Sequence, residues 1–359
     1  MTRIAILSHP ADVHALAVHE TLLRKGALPV LCMASNYPAR SPETIRARRG
    51  AIAFGGPFFD GQSFDAVWFR RPAHALPASP DDGACRAFRA GLFALWRRSG
   101  FWVNDPQARD RAEQKPLQHA VAVEAGFDTP HTLYSNDAAA VRRFVREHGG
   151  RAVFKNFRPA AWSDGRKRWQ PATAVITEER LADDGLIALA PAIYQELVPK
   201  AHELRVTVIG HRVFAAKLHS QASAKGRLDW RRAGDGIVAE ATRLPSGVEA
   251  LCRDLLARLG LVFGCIDLIV TPDGRHVFLE INQMGQFLFV ERWTGLPLLD
   301  AFAELLLQGR AGYLWPPSRG VVRYADVVDR ARAHGEELSR IHPPAPERIW
   351  TEEAEPARG

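Results

Sequence analysis

Hydrophobic and polar positions follow two rhythms along the chain, and the first hundred residues show both. Residues 3–7 and 27–33 are short apolar runs of strand type, and the stretch from Ala11 to Lys25 between them has helical spacing. A strand–helix–strand opening of this kind builds a parallel sheet. A further run, Ala66-Val-Trp-Phe69, ends at Arg70-Arg-Pro72, and a helix is predicted from Asp82 to Ser99. Asn104-Asp-Pro106 is a cap with proline in the first turn of a helix that runs through Lys115 to about Ala125. Gly126 to Pro130 ends it. Strand Thr132–Tyr134, a helix Asp137–His148 capped at Ser135 or Asn136, and strand Arg151–Asn156 come next.

The pattern lapses over residues 156–170, a basic, tryptophan-bearing stretch, and a long loop without structure of its own points to a lid. Residues 191–313 hold two predicted hairpins and a helix, Gly247–Leu259. The expected division is an α/β domain over 1–103, a lid domain over 104–190 and a core over 191–312. An extension over 313–359 follows, whose Pro/Glu-rich end, Ile341–Gly359, is expected to be partly disordered.

The sharpest chemistry lies in the second hairpin, Leu261 to Asn282. Asp273-Gly274 between two β-rich runs is a strong two-residue turn signal. With that turn Pro272 faces Arg275, and Asp267 falls directly opposite Glu280. Alternation then puts Ile266, Leu268, Val270, Val277, Leu279 and Ile281 on one apolar face, and Asp267, Glu280 and Asn282 on the other. Two carboxylates directly opposite on a sheet repel, so the pair calls for a compensating cation. Asp, Glu and Asn offer only oxygen, which suits Mg²⁺ or Mn²⁺ rather than zinc or copper. The alternative is a solvated polar face on a half-exposed sheet.

Composition narrows the field. Hydrophobic residues at 47% and charged ones at 24% over 359 residues describe ordinary globular domains, two or three of them. No apolar run is long enough for a bilayer, and the N-terminus reads as a strand rather than a signal peptide, so no membrane partner is expected. Cys32, Cys85, Cys252 and Cys265 show no paired spacing, which fits reduced thiols in a cytoplasm. A net charge of +7 favours an acidic partner: nucleotide phosphates, an acidic peptide or nucleic acid. The charge is dispersed with no basic tract, so nucleic acid is not expected. Neither GxGxxG in the first domain nor GxxxxGK[ST] anywhere is present.

The Asp267…Glu280-x-Asn282 spacing resembles the magnesium signature of the ATP-grasp superfamily. Lys115 and Lys155 stand where that family's two phosphate-binding lysines fall, and Tyr194-Gln195-Glu196-Leu197-Val198-Pro199-Lys200 is similar to its adenine-bracketing hinge, with Glu203 at the ribose position. Trp68–Pro72, Glu203–Gly210, His219–Gln221, Asp229–Arg231 and Glu280–Phe287 together resemble the graspetide (microviridin-type) synthetases and, more distantly, the ribosomal-protein glutamate ligases. The resemblance reaches to about residue 312. It implies an α/β ATP-grasp fold and a cytoplasmic, ADP-forming ligase using ATP and Mg²⁺ (or Mn²⁺). It further implies that Arg231 meets the transferred phosphoryl group or acyl phosphate, and Arg205, which strand alternation puts on the same face as Glu203, is a second candidate for that role. The implied partner is a ribosomal precursor peptide with a leader and an acidic, Thr-rich core, and a homodimer is a family expectation. The other readings are a ligase extending a peptide or protein terminus and a non-catalytic nucleotide-binding protein.

Two departures stand out. The lid loop has a single glycine, so its phosphate contacts would come from Arg166, Lys167 or Arg168, and Lys217 is predicted on the sheet face opposite Glu203 and Arg205.

Overall fold

In the computed structural model the described residues are 1–33, 43–56, 63–71, 82–98, 100–157, 162–163, 168–169, 173–316 and 320–342. Two compact units divide the chain. The first comprises Met1–Thr129, Lys200–His219 and Asp235–Ala345; the second comprises Pro130–Pro199 and Ser220–Gly234.

The first unit begins with β1 (Arg3–Ser8), α1 (Val13–Arg24) and β2 (Leu28–Met33), followed by a hairpin of β3 (Thr44–Arg48) and β4 (Ala51–Gly55) that the pattern does not predict. Then come β5 (Ala66–Phe69), α2 (Asp82–Trp96) and β6 (Phe101–Val103). Strands β2, β1, β5 and β6 form, in that order, an all-parallel sheet, as the alternating strand and helix pattern implies. Leu7, Val67, Phe69, Trp96 and Trp102 pack into a core beside it.

The single helix predicted after Pro106 is two. These are α3 (Pro106–Ala112), capped by Asp105, whose side chain accepts from Gln107 N–H at 2.9 Å and Ala108 N–H at 3.1 Å, and α4 (Lys115–Ala125). Pro116 has no N–H to return to Ala112, so the ladder stops there. The Ala112 carbonyl accepts instead from the side-chain amide of Gln118.

The second unit holds β7 (Thr132–Ser135), α5 (Ala138–Glu147), β8 (Arg151–Lys155), β9 (Trp162–Ser163), β10 (Arg168–Trp169), β11 (Ala174–Thr177), α6 (Asp184–Ala188) and β12 (Ala192–Gln195). An antiparallel sheet in the order β11-β8-β12-β7 packs Ala152 and Tyr194 against Val141, Phe144 and Val145 of α5. The cap of α5 is Asp137, which accepts from Ala139 and Ala140, rather than Ser135 or Asn136. The expected bare loop contains the β9–β10 pair, Trp162 opposite Trp169. Residues 158–161, 164–167 and 170–172, Arg166 and Lys167 among them, lie outside the described residues.

The rest of the first unit is β13 (His202–Ile209), β14 (Arg212–Leu218), β15 (Ala239–Thr242), α7 (Ser246–Leu259), β16 (Phe263–Val270), β17 (His276–Asn282), α8 (Leu288–Thr294), α9 (Leu298–Gln308) and α10 (Tyr324–Ile341). The five strands form an antiparallel sheet ordered β15-β14-β13-β16-β17. One face is apolar: Leu204, Val206, Ile266, Leu268, Phe278 and Ile281 pack with Cys252, Leu255 and Leu259 of α7 and with Val121 and Ala122 of α4. Each such Leu, Ile or Phe contributes about 1.5–3 kcal/mol by burial. That face holds the sheet in place and leaves the other for polar side chains. Helix α10, in the extension after residue 313, buries Val327, Ala331 and Gly335, while residues 343–359 lie outside the described residues. Among the described residues no helix is long and apolar enough to cross a membrane.

Candidate functional site

The hairpin β16–β17 brings Asp267 opposite Glu280, Ile266 opposite Ile281 and Cys265 opposite Asn282, as its pattern predicts. It does so by a different route. The turn holds three residues, Pro272, Asp273 and Gly274, closed by Thr271 N–H donating to the Arg275 carbonyl at 3.0 Å, with Gly274 at φ +86°. A longer turn moves the register by one, so Leu268 faces Phe278 and Ile269 faces Val277. A bulge next to Asp267 moves it back. The two shifts cancel at the carboxylates. Between them Phe278, and not Val277 or Leu279, joins the core face.

Neighbouring strands extend the polar face into rows. Arg205 on β13 lies opposite Asp267, so Arg205, Asp267 and Glu280 form one row across three strands. On the other side that row continues in two small residues, Ala216 and Ala241. The adjacent rows are Glu203–Ile269 and Thr207–Cys265–Asn282. Lys217 lies opposite Leu204, off this face, and pairs with Glu240 at 3.3 Å.

The positive charge that facing carboxylates require is present in side chains. Arg205 Nη1 meets Asp267 Oδ1 at 2.8 Å in the interior, and Lys115 Nζ meets Glu280 Oε2 at 2.7 Å where both are partly exposed. Lys200 pairs with Glu203. Lys115 is the first residue of α4, the positive end of the helix dipole, where a cation is locally unfavourable. Glu280 offsets that cost. The donor set fits a hard divalent ion: Asp267, Glu280 and Asn282 offer only oxygens from one face. Each carboxylate has two oxygens, and Asn282 Oδ1, which accepts from Met284 N–H at 3.0 Å, has a second lone pair.

Sequence reasoning missed what holds the segment after these ligands. The backbone from Gln283 to Leu288 is gripped at nearly every residue by a buried side chain. Asn104 donates to the Gln283 carbonyl at 2.8 Å, Arg70 to those of Met284 and Gly285, and Arg205 Nη2 to that of Gln286 at 3.1 Å. His14 Nε2 accepts from Phe287 N–H at 3.1 Å and Leu288 N–H at 3.2 Å. That role needs a neutral imidazole, and burial, with Arg70 close by, holds the His14 pKa down at about 3. Arg70 is fully buried and paired with Asp12 at 3.1 Å. Burial pushes the Asp12 carboxyl up, but the Arg70 guanidinium, with Arg71 and a hydrogen bond from Ser8 beside it, holds it below its ordinary value. The outer edge of β17 is covered by Gln118, which takes the Ile281 carbonyl at 3.0 Å and its N–H at 3.2 Å. Arg70 lay in a motif the sequence singled out; Asn104 was read only as part of a helix cap.

In the second unit Lys155 ends β8 opposite Ile193, and Gln195, two residues on, lies opposite Val153 on the same side. Gln195 donates to Thr132 Oγ1 at 3.0 Å. Glu196 N–H donates to the His131 carbonyl at 2.9 Å, and Val198 N–H closes back on the Glu196 carbonyl at 3.1 Å. Leu197 lies between them, half-buried. Arg231 sits in a short turn with its Nη1 3.7 Å from Asp229, which also accepts from Thr173 at 3.3 Å.

No family model matches the chain. Among solved structures, a RiPP-associated ATP-grasp ligase of Chryseobacterium gregarium, in complex with ADP and a leader and core peptide, superposes with a TM-score of 0.76 at 26% identity, over 86% of this chain and 97% of that one. The chain has the ATP-grasp fold. A macrocyclase of Microcystis aeruginosa bound with its precursor peptide, at TM-score 0.71 and 27% identity, covers 86% of this ATP-grasp chain and is itself fully covered. Among curated proteins, a probable alpha-L-glutamate ligase of Xanthomonas oryzae is 27% identical over 212 residues, 57% of this chain and 68% of that protein. This ATP-grasp chain therefore resembles both groups its motifs pointed to, the peptide-modifying ligases over the larger share.

Proposed function

We propose that this chain is an ATP-dependent ligase that activates an Asp or Glu side-chain carboxylate of a ribosomal precursor peptide and joins it to a Thr or Ser hydroxyl or a Lys amine, closing a ring. The observation that carries the reading is the Arg205–Asp267–Glu280 row, with Asn282 on the same face and Lys115 against Glu280. The likeness to ligases solved with ADP and with leader and core peptides supports it. In this reading Asp267, Glu280 and Asn282 hold Mg²⁺, which neutralises phosphate charge when bound.

The chain's own residues do the rest. Lys115 and Lys155 place compact positive charge on phosphate oxygens. Gln195, Glu196, Leu197 and Val198 bracket adenine, and Glu203 takes the ribose hydroxyls. Arg205 and Arg231 face the transferred phosphoryl group, which a planar guanidinium grips at two oxygens. The peptide carboxylate oxygen attacks the γ-phosphorus and ADP leaves. The hydroxyl or amine then attacks the acyl carbon, and phosphate leaves with the carboxylate's oxygen. Positioning and charge neutralisation supply most of the acceleration in phosphoryl transfer. A lid over 104–190 that excludes water, a cytoplasmic setting and a homodimer belong to the same proposal.

Incubation with ATP, Mg²⁺ and the precursor peptide encoded beside it tests this by mass spectrometry. One water lost per bond formed is expected; unchanged peptide overturns the proposal. A gain of amino-acid residues would instead establish the second reading, extension of a terminus, which the likeness to alpha-L-glutamate ligases favours.

A further inference from the structure

Away from the carboxylate rows, α1 and α10 bring together a second set of chemistry-bearing side chains. His19 and Glu20 lie on α1, and His334 reaches them from α10. His334 Nδ1 is 3.2 Å and His19 Nδ1 is 3.4 Å from the same oxygen, Glu20 Oε1. The three ligand atoms all fall within 4.8 Å of one another. The two imidazoles meet with ring centroids 4.9 Å apart at 60°.

The helices are close by construction. Gly335, next to His334, sits inside α10 where glycine costs about 1 kcal/mol relative to alanine. Its side-chain-free surface faces α1: a Cβ there would stand 2.7 Å from Leu16 Cδ1 and 3.2 Å from the Pro10 carbonyl oxygen. That approach carries His334 onto Glu20. The neighbourhood is largely dry, the side chains being 11%, 12% and 26% exposed for His19, Glu20 and His334.

We propose that His19, Glu20 and His334 form a binding site for a divalent ion of the zinc class, which staples the C-terminal helix α10 to α1. Two imidazole nitrogens and one carboxylate oxygen are a donor set for Zn²⁺ and its first-row neighbours rather than for Mg²⁺ or Ca²⁺. Bonds of about 2.0–2.1 Å in a tetrahedral shell set ligand atoms roughly 3.3 Å apart, the spacing that both imidazole nitrogens already keep from Glu20 Oε1, and water completes the shell. A metal-binding imidazole must be neutral. This site is independent of the ATP-grasp residues.

Equilibrium dialysis of the full chain against micromolar Zn²⁺, after chelator treatment and without nucleotide, tests it. Wild type and Glu280→Gln are each expected to hold one Zn²⁺ that His334→Gln and Glu20→Gln lose, their affinities falling at least tenfold. His334 and Glu20 are both partly exposed and the substitutions conservative, and metal-free melting curves check the fold of each. Zn²⁺ should raise the thermal midpoint of wild type and leave that of His334→Gln unmoved. Failure of wild type to bind Zn²⁺ below 100-fold higher concentrations, or an affinity unchanged in either variant, overturns the site.

Discussion

Arg205 and Asp267 lie directly opposite one another on β13 and β16 and join Nη1 to Oδ1 at 2.8 Å, each side chain only 6% exposed. The same guanidinium holds the Gln286 carbonyl, so one buried pair ties a metal-ligand candidate to the segment behind it. Replacing Asp267 by Asn leaves the guanidinium buried without its countercharge. Breaking one side of a buried pair costs about 3–5 kcal/mol. Asn keeps an acceptor, so a loss of about 3 kcal/mol is expected in urea unfolding without metal or nucleotide. A loss under about 1 kcal/mol would show the pair to be dispensable for folding.

Gln118 offers a test of how the edge strand is kept. Its amide serves both backbone groups of Ile281 and the carbonyl that Pro116 leaves open at Ala112. Gln118→Ala strands these buried groups, and each lost partner costs about 1–3 kcal/mol. The expected outcome is a destabilised protein whose Ile281 amide exchanges much faster with solvent. Unchanged protection at Ile281 would mean that the strand needs no cover.

Much of this was legible in advance, and the gaps have physical reasons. Strand alternation and the Asp-Gly turn were enough to place Asp267 opposite Glu280, because a one-residue error in the turn is undone by the bulge beside Asp267. The same pair of compensating shifts sent Phe278 to the core in place of Val277 and Leu279. The Pro116 break was missed because helical spacing continues across it while the hydrogen-bond ladder does not. The countercharges Arg205 and Lys115 come from elements remote in sequence, so no local pattern announces that they neutralise these two carboxylates. In that segment Asn104 acts on a backbone atom 179 positions away, Arg70 on atoms 214 and 215 away, and His14 on atoms 273 and 274 away. Spacing carries no trace of such contacts.

Gly285 carries a second prediction about that gripped segment. A Cβ at this position would stand 2.4 Å from Cys265 Sγ and 2.5 Å from Cys265 Cβ, on a strand that cannot retreat. Gly285→Ala should cost about 1–3 kcal/mol through overpacking. The thermal midpoint should fall, and turnover should fall with it, since Asn282 is only three residues away. An unshifted midpoint would show that the segment has room to move.

His14 makes stability depend on pH in a stated direction. Its folded pKa, about 3, lies below the ordinary 6.5, so the unfolded chain takes up the proton first. The contribution is whole above pH 6.5 and is lost as pH falls from 6.5 towards 3, by about 1.4 kcal/mol per unit. Between pH 7 and pH 5 this amounts to about 2 kcal/mol. The check is the difference in urea-derived stability between these pH values for wild type and for His14→Gln. The variant, lower in stability throughout, should lose that part of the slope; equal slopes would refute the neutral, doubly accepting imidazole.

The account rests most heavily on Asp267, Glu280 and Asn282 holding a divalent ion against a nucleotide. Calorimetric titration of wild type and Glu280→Gln with a non-hydrolysable ATP analogue, with and without Mg²⁺, tests that directly and needs no peptide. Wild type should bind in a Mg²⁺-dependent manner and the variant at least about tenfold more weakly, which corresponds to about 1.4 kcal/mol. Binding that is indifferent to Mg²⁺, or equally tight in both proteins, would contradict it.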